Sequence, residues 1–167
     1  MEGKHPNESE LSNQSVLVSP SDLNSDWSMH GGKLFSAIDE KSAIVARRHS
    51  GYVCRTIAGS PFKYLKPIQT GDEVIIDAKV TKAWNTSMEI KVNAYRRKLD
   101  ESKERVMTMY LYFIALENEI LMEVPPVIAL DDEEIYEYSR ADLRRRAVKK
   151  FIEEEERKFK KAGFEYT

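Results

Sequence analysis

Residues 74–94 contain two runs in which apolar side chains return at every second position, and that period limits the fold more than any other feature of the chain. Val74, Ile76, Ala78 and Val80 alternate with Ile75, Asp77, Lys79 and Thr81; Met88, Ile90, Val92 and Ala94 alternate with Glu89, Lys91 and Asn93. Successive side chains of a strand point to opposite faces, so each run predicts a strand with one buried and one wet face. Trp84-Asn85-Thr86-Ser87 between them is long enough only for a tight antiparallel connection. After a connection at 99–103, residues 106–116 are apolar at both parities, which predicts a strand central in the sheet or at an interface.

The remaining segments fall around this pair. Residues 1–12 hold little that can be buried and are expected to be disordered; a domain spans 13–122 and a helical tail 123–167. Order is expected from about Gln14, with Val16 and Val18 in a first strand that Pro20 ends. A polar loop from Pro20 to Gly32 opens into a helix over 33–49, and residues 52–68 read as a long strand with a bend at Gly59-Ser60-Pro61. Leu34, Phe35, Ala37, Ile38, Ile44 and Val45 put apolar surface on several sides of the helix, as an enclosed helix requires. Residues 131–161 read as a long charged helix with acidic residues first and too few apolar positions to be core. The fold class is therefore α+β, a five-stranded antiparallel sheet wrapped around one helix, with a charged C-terminal helix added.

Composition narrows the function. A chain of 167 residues with 41% hydrophobic content can bury one substantial core, and its net charge of −2 provides no global field for nucleic acid or an anionic membrane. Cys54 is the only cysteine, which excludes an intrachain disulfide and a cysteine-based zinc site. No apolar run approaches the roughly 20 residues that span a bilayer, and the polar N-terminus lacks a signal core, so a soluble, cytoplasmic protein is the expectation.

The residues with chemistry cluster at the loop and helix. Gly31 and Gly32 allow close approach, and the first N–H groups of a helix have no intrahelical partner and can face an oxygen that gains negative charge. Asp39 lies on a mostly small face with Phe35, Ser36, Ser42 and Ala43; taken alone it is either a functional carboxylate or a satisfied structural one. Asn24 alone is an ordinary turn residue. His30 and His49 are secondary, because a histidine that ends a helix is favoured there by the helix dipole alone.

The chain resembles the hotdog-fold acyl-CoA thioesterases, the group of bacterial acyl-CoA hydrolases and brain-type cytosolic acyl-CoA hydrolases, over roughly residues 14–120. The resemblance is carried by Pro20-x-Asp22-x-Asn24, Gly31-Gly32, Ile38-Asp39-Glu40, Arg48-His49-Ser50, Leu65-x-Pro67-Ile68, Gly71-Asp72 and Asn85-Thr86-Ser87-Met88-Glu89 in that order. It implies hydrolysis of acyl-CoA without metal or cofactor, coenzyme A being part of the substrate. It also implies an essential carboxylate at Asp39 and an essential amide at Asn24 meeting across a homodimer, with three such dimers in a hexamer. Water activated by Asp39, placed by Asn24, and an oxyanion held by Gly32 N–H would then suffice. Trp27 stands where relatives usually have glycine, Leu23 where a small residue is common, and Ser60-Pro61 where an acidic residue is often found. Arg47, Arg48 and Arg144 are either solvated helix faces or, for a ligand with phosphates, candidate anchors, and Asn85, Thr86 and Ser87 either hold the ligand or merely form a turn. A non-catalytic acyl-CoA sensor is the alternative that such a domain also permits; a hotdog dehydratase is the third.

Overall fold

The computed structural model describes residues 1–164. One antiparallel sheet runs in the order β1 (Leu11–Leu17), β3 (Glu73–Ala83), β4 (Ser87–Arg97), β5 (Lys103–Glu117) and β2 (Val53–Gly59), and a short β6 (Ile120–Leu121) folds back on the end of β5. Helix α1 (Gly31–Ser50) crosses one face, touching β2, β3, β4 and β5. Its Leu34, Ile38, Val45 and Ala46 share a core with Val74, Ile76, Ala78 and Val80 of β3 and Met88, Ile90, Val92 and Ala94 of β4. Each fully buried Leu, Ile or Val there contributes about 1.5–3 kcal/mol relative to exposure. The predicted apolar parity is thus the parity that faces the helix.

α1 is bounded as its sequence suggests. His30 caps its start, and at its end Gly51 takes φ 80°, a left-handed conformation that glycine adopts without a Cβ clash, returning its N–H to Arg47 O at 2.8 Å.

The opposite face differs from the expectation of a wet surface. Glu89 is 0% exposed, and its carboxylate accepts from Thr81 Oγ1 (2.6 Å), Tyr112 OH (2.9 Å) and Arg144 Nη2 (2.6 Å). The arginine comes from α2 (Asp132–Lys161), which lies across this face. Arg144 also pairs with Glu137 at 2.9 Å, Lys91 pairs with both Glu133 and Glu137 at 2.9 Å, and Asp142 accepts from Lys82 Nζ and Trp84 Nε1. The residues that α2 buries are Glu134, Glu137 and Ala141, so it is fastened by ion pairs where an ordinary surface helix uses an apolar stripe. Burial and the Glu89 carboxylate raise the Tyr112 hydroxyl far above its ordinary pKa, keeping it a proton donor.

Three further expectations are corrected. The sheet has six strands, because Asn118 and Glu119, at φ 48° and 65°, make a two-residue reversal that starts β6. The strand expected over 52–68 stops at Gly59; beyond it only Ser60 and Leu65 donate to β5, and Pro61 and Pro67 have no N–H to give. Residues 1–12 are tied down: Lys4 exchanges backbone bonds with Pro126 and Ile128 at 2.9 Å, His5 meets Glu134, and Pro6, Ser9 and Leu11 are buried. Main-chain bonds fasten this arm, which a scan for apolar content does not register. β5 is central, between β4 and β2, the first of its two expected placements; the edges are β1 and β2, and on β2 Val53 and Ile57 are exposed.

His49 is also not the charged helix-end residue it resembles in sequence. It is fully buried, its Nε2–H donates to Pro125 O at 2.9 Å, and Nδ1 has no partner, so the ring is neutral. Desolvation, opposed by the Pro125 bond and Glu8 and aided by Lys4, pushes its pKa below 6.5. The unfolded chain therefore takes up this proton at a higher pH than the native protein, so stability present above 6.5 is lost as pH falls from there towards the depressed native value. Thermal melts should show a declining Tm between about pH 7 and 5, with His49→Gln removing part of that slope; an unaltered slope in the variant contradicts this assignment.

Candidate active site

The loop before α1 is built by short-range polar contacts. Asp22 closes a 3₁₀ turn over Pro20–Asp22 by accepting from Ser19 N (3.0 Å) and Ser19 Oγ (2.6 Å). Asn24 then reverses the chain: its N–H reaches Ser28 O at 2.8 Å, and its Oδ1 accepts from Asp26 N (2.9 Å) and Ser28 N (3.2 Å). Trp27 sits in this reversal at φ 60° and is 77% exposed. Left-handed backbone costs a residue with a Cβ roughly 1–2 kcal/mol, which gives a physical reason for glycine at such a position.

Asn24 borders a cleft of about 320 Å³ whose wall includes Ser28, Gly31, Leu34, Tyr64 and Ile68. Tyr64 OH donates to Gly31 O at 3.0 Å, and a Cβ on Gly31 would come 2.9 Å from the Tyr64 hydroxyl, so the close approach expected of this glycine is real and is made by Tyr64. The Gly32 N–H, expected to face a substrate oxygen, instead donates to His30 Nδ1 at 3.0 Å. His30 must swing away before that donor can serve an oxyanion.

Asp39 stands in the middle of α1, half-buried, and accepts from Thr56 Oγ1 of β2 at 2.6 Å. Its other oxygen makes no hydrogen bond among the described residues, and Thr56 is on the open edge of the sheet. No contact joins Asp39 to Asn24 within one chain. Thr56 was not singled out from the sequence, since nothing in a threonine seventeen residues away marks it as the partner of a helix carboxylate.

The other candidates scatter. Arg47 and Arg48 are exposed on a groove at the end of α1. Asn85, Thr86 and Ser87 form the β3–β4 turn: Trp84 N donates to Ser87 O (2.7 Å), Val124 N to Asn85 O (2.8 Å) and Ala115 N to Thr86 O (3.0 Å), while the Ser87 side chain is buried. Arg144 is held by Glu89 and Glu137 on the far face of the sheet, which accounts for its charge and removes it from the list of anchors.

A profile of the thioesterase superfamily matches residues 28–103. An uncharacterised acyl-CoA thioester hydrolase of Zymomonas mobilis is 32% identical over 114 residues, 67% of this chain and 76% of the relative. The chain belongs to the thioesterase superfamily. YkhA of Bacillus subtilis, another uncharacterised acyl-CoA thioester hydrolase, is 34% identical over 74% of this thioesterase-superfamily chain and 73% of its own length. The crystal structure of an acyl-CoA hydrolase from Bacillus cereus superposes with a TM-score of 0.87 at 31% identity, covering 99% of this chain and 100% of that one. The Staphylococcus aureus acyl-CoA hydrolase, solved with butyryl coenzyme A and coenzyme A, gives 0.86 at 31% identity over 96% and 98%. Solved alanine variants of that enzyme replace an asparagine, an aspartate and a threonine whose successive spacings are fifteen and seventeen residues. Asn24, Asp39 and Thr56 are spaced the same way here.

Proposed function

We propose that this member of the thioesterase superfamily hydrolyses acyl-CoA thioesters to free acid and coenzyme A. The observation that carries the reading is the Thr56–Asp39 bond of 2.6 Å, which fixes one carboxylate oxygen and leaves the other open at the sheet edge. Water there gives a proton to Asp39 as its oxygen bonds to the thioester carbon; the C–S bond then breaks and the thiolate leaves, to be protonated in turn. The less favoured course is attack by the carboxylate itself, through an anhydride that water then cleaves. Gly32 N–H, once released by His30, is the donor proposed for the oxyanion.

Asn24 enters from a second copy. Unpaired N–H and C=O groups along β2 invite antiparallel pairing with the β2 of a partner, and a two-fold there sets the start of one β2 beside the end of the other. That arrangement carries the partner's Asn24 loop towards Asp39. The apo-hexameric acyl-CoA thioesterase that superposes with a TM-score of 0.87 at 25% identity, over 91% of this chain and 98% of that one, supports assembly of three such dimers.

Binding of acyl-CoA without cleavage is the second reading, favoured by one observation: His30 occupies the Gly32 N–H. Release of free thiol, followed spectroscopically with acyl-CoA of increasing chain length, separates the two. Saturable turnover is expected; saturable binding with no thiol released contradicts hydrolysis and favours the sensor.

A further inference from the structure

Along α2, Glu134, Ala141, Val148, Ile152 and Phe159 share one face, at spacings of seven, seven, four and seven. The first half of that face lies on the sheet: Glu134 and Glu137 are buried and Ala141 is 0% exposed. Exposure then rises, with Val148 half-buried and Ile152 41% exposed. The sheet ends beneath them. Val148 and Ile152 share a cleft of about 370 Å³ with Ile57 and Ala58 of β2, an edge strand, and Ile57 is 54% exposed. From Ile152 to the helix end at Lys161 is about 14 Å at 1.5 Å per residue, the width of about three strands.

The two halves of α2 are held differently. Arg144 reaches the buried Glu89, and Arg145 stacks over Trp84 at 4.2 Å. Past Arg145 the ion pairs among the described residues stay within the helix, as Lys149–Glu153, Lys150–Glu154 and Lys158–Glu155. These are open to water and contribute little. A helix end that no ion pair ties to its own sheet, yet that keeps the period of a packed face, is shaped for a surface that this chain does not supply.

A second copy supplies it. Antiparallel pairing of β2 with the β2 of a partner continues the sheet where α2 runs off it, and the two-fold sends the partner's α2 back the other way. Lys149 and Glu153 both border the cleft, and a two-fold level with Phe151 sets Lys149 of one copy opposite Glu153 of the other. An anionic bilayer is the poorer match, since Glu153–Glu156 put four carboxylates beside the stripe. We propose that the second half of α2 is a clasp between copies of this chain, Val148 and Ile152 of each packing on Ile57 and α2 of the other. The proposal rests on the β2 pairing in the acyl-CoA reading above, and it adds a second contact that holds the shared site closed.

Ile152→Asp tests this on the full chain, with a thermal melt to show that the fold is kept. Sedimentation velocity over a dilution series should show the variant dissociating at a concentration about tenfold or more above that of the wild type. Thiol release per chain should fall at the same dilutions, and should match the wild type wherever the variant is assembled, because Asp39 and Asn24 are untouched. Ile152→Cys in a Cys54→Ser chain, treated with a short bismaleimide, should give a covalent dimer. Equal dissociation of Ile152→Asp and wild type, or no cross-link in an assembled Ile152→Cys protein, would overturn the clasp and leave the β2 pairing standing. Wild-type binding to phosphatidylglycerol vesicles, abolished by Ile152→Asp while assembly is unaltered, would give the stripe to a membrane and overturn it too. A wild type that releases no thiol, but whose assembly weakens in Ile152→Asp, would contradict hydrolysis and support the clasp.

Discussion

Asp39→Asn should lower turnover of acyl-CoA by about 10²–10⁴-fold, the range lost when a positioned base is removed. The substitution keeps shape and can still accept the Thr56 hydrogen bond, so the fold and the KM should change little. Thiol release measured at saturation, beside a thermal melt, checks both halves of this expectation. Turnover near that of the wild type would remove Asp39 from the chemistry and return it to the structural role that a helix carboxylate bonded to a neighbouring strand can equally have.

Arg144→Leu should cost about 3–5 kcal/mol of stability, because it leaves Glu89 as a buried charge without its cation. Glu89 is 0% exposed and retains only the hydroxyls of Thr81 and Tyr112 as donors. For a chain of this size such a loss lowers Tm by about 10 °C. Deleting α2 altogether should do more, since Lys91, Lys82 and Trp84 lose their carboxylate partners as well. Denaturant unfolding with activity measured below the transition separates stability from binding. An Arg144→Leu protein of unchanged stability and raised KM for acyl-CoA would make Arg144 a phosphate anchor after all.

Glu89 shows where the sequence stops being legible. The alternation through Met88, Ile90, Val92 and Ala94 identifies the buried face without ambiguity, because that face meets the one apolar helix able to cover it. The other face carries Glu89, Lys91 and Asn93 and looks wet, since a carboxylate awaiting an arginine fifty-five residues later has the same local pattern as a solvated one. The same reasoning covers the free edge. Residues 106–116 are apolar at both parities because β5 is central, with Phe113 in the core and Tyr112 under α2, so two-sided burial arises within one chain and does not mark the edge. β2 is one of the two edges, and its exposed Val53 and Ile57 are too few to announce it.

The site was legible as separate pieces. The spacing of Asn24, Gly31-Gly32 and Asp39 located the loop and the helix, while the contacts that decide their roles are tertiary: Thr56 on Asp39, Tyr64 on Gly31, and His30 folded over the N–H of Gly32. Asn24 keeps both of its readings, for it closes its own turn and also borders a cleft.

The account depends most on a site shared between chains. Asp39→Ala and Asn24→Ala subunits, carrying different tags and co-expressed, can be purified as mixed oligomers by two successive affinity steps. Each parent should be nearly inactive, and a mixed dimer joins one intact Asp39 to the other chain's intact Asn24, so it should recover about half of the wild-type sites. Thiol release from acyl-CoA well above both parents, and at most at that level, would show catalysis across the interface; mixed oligomers as inactive as both parents would contradict it.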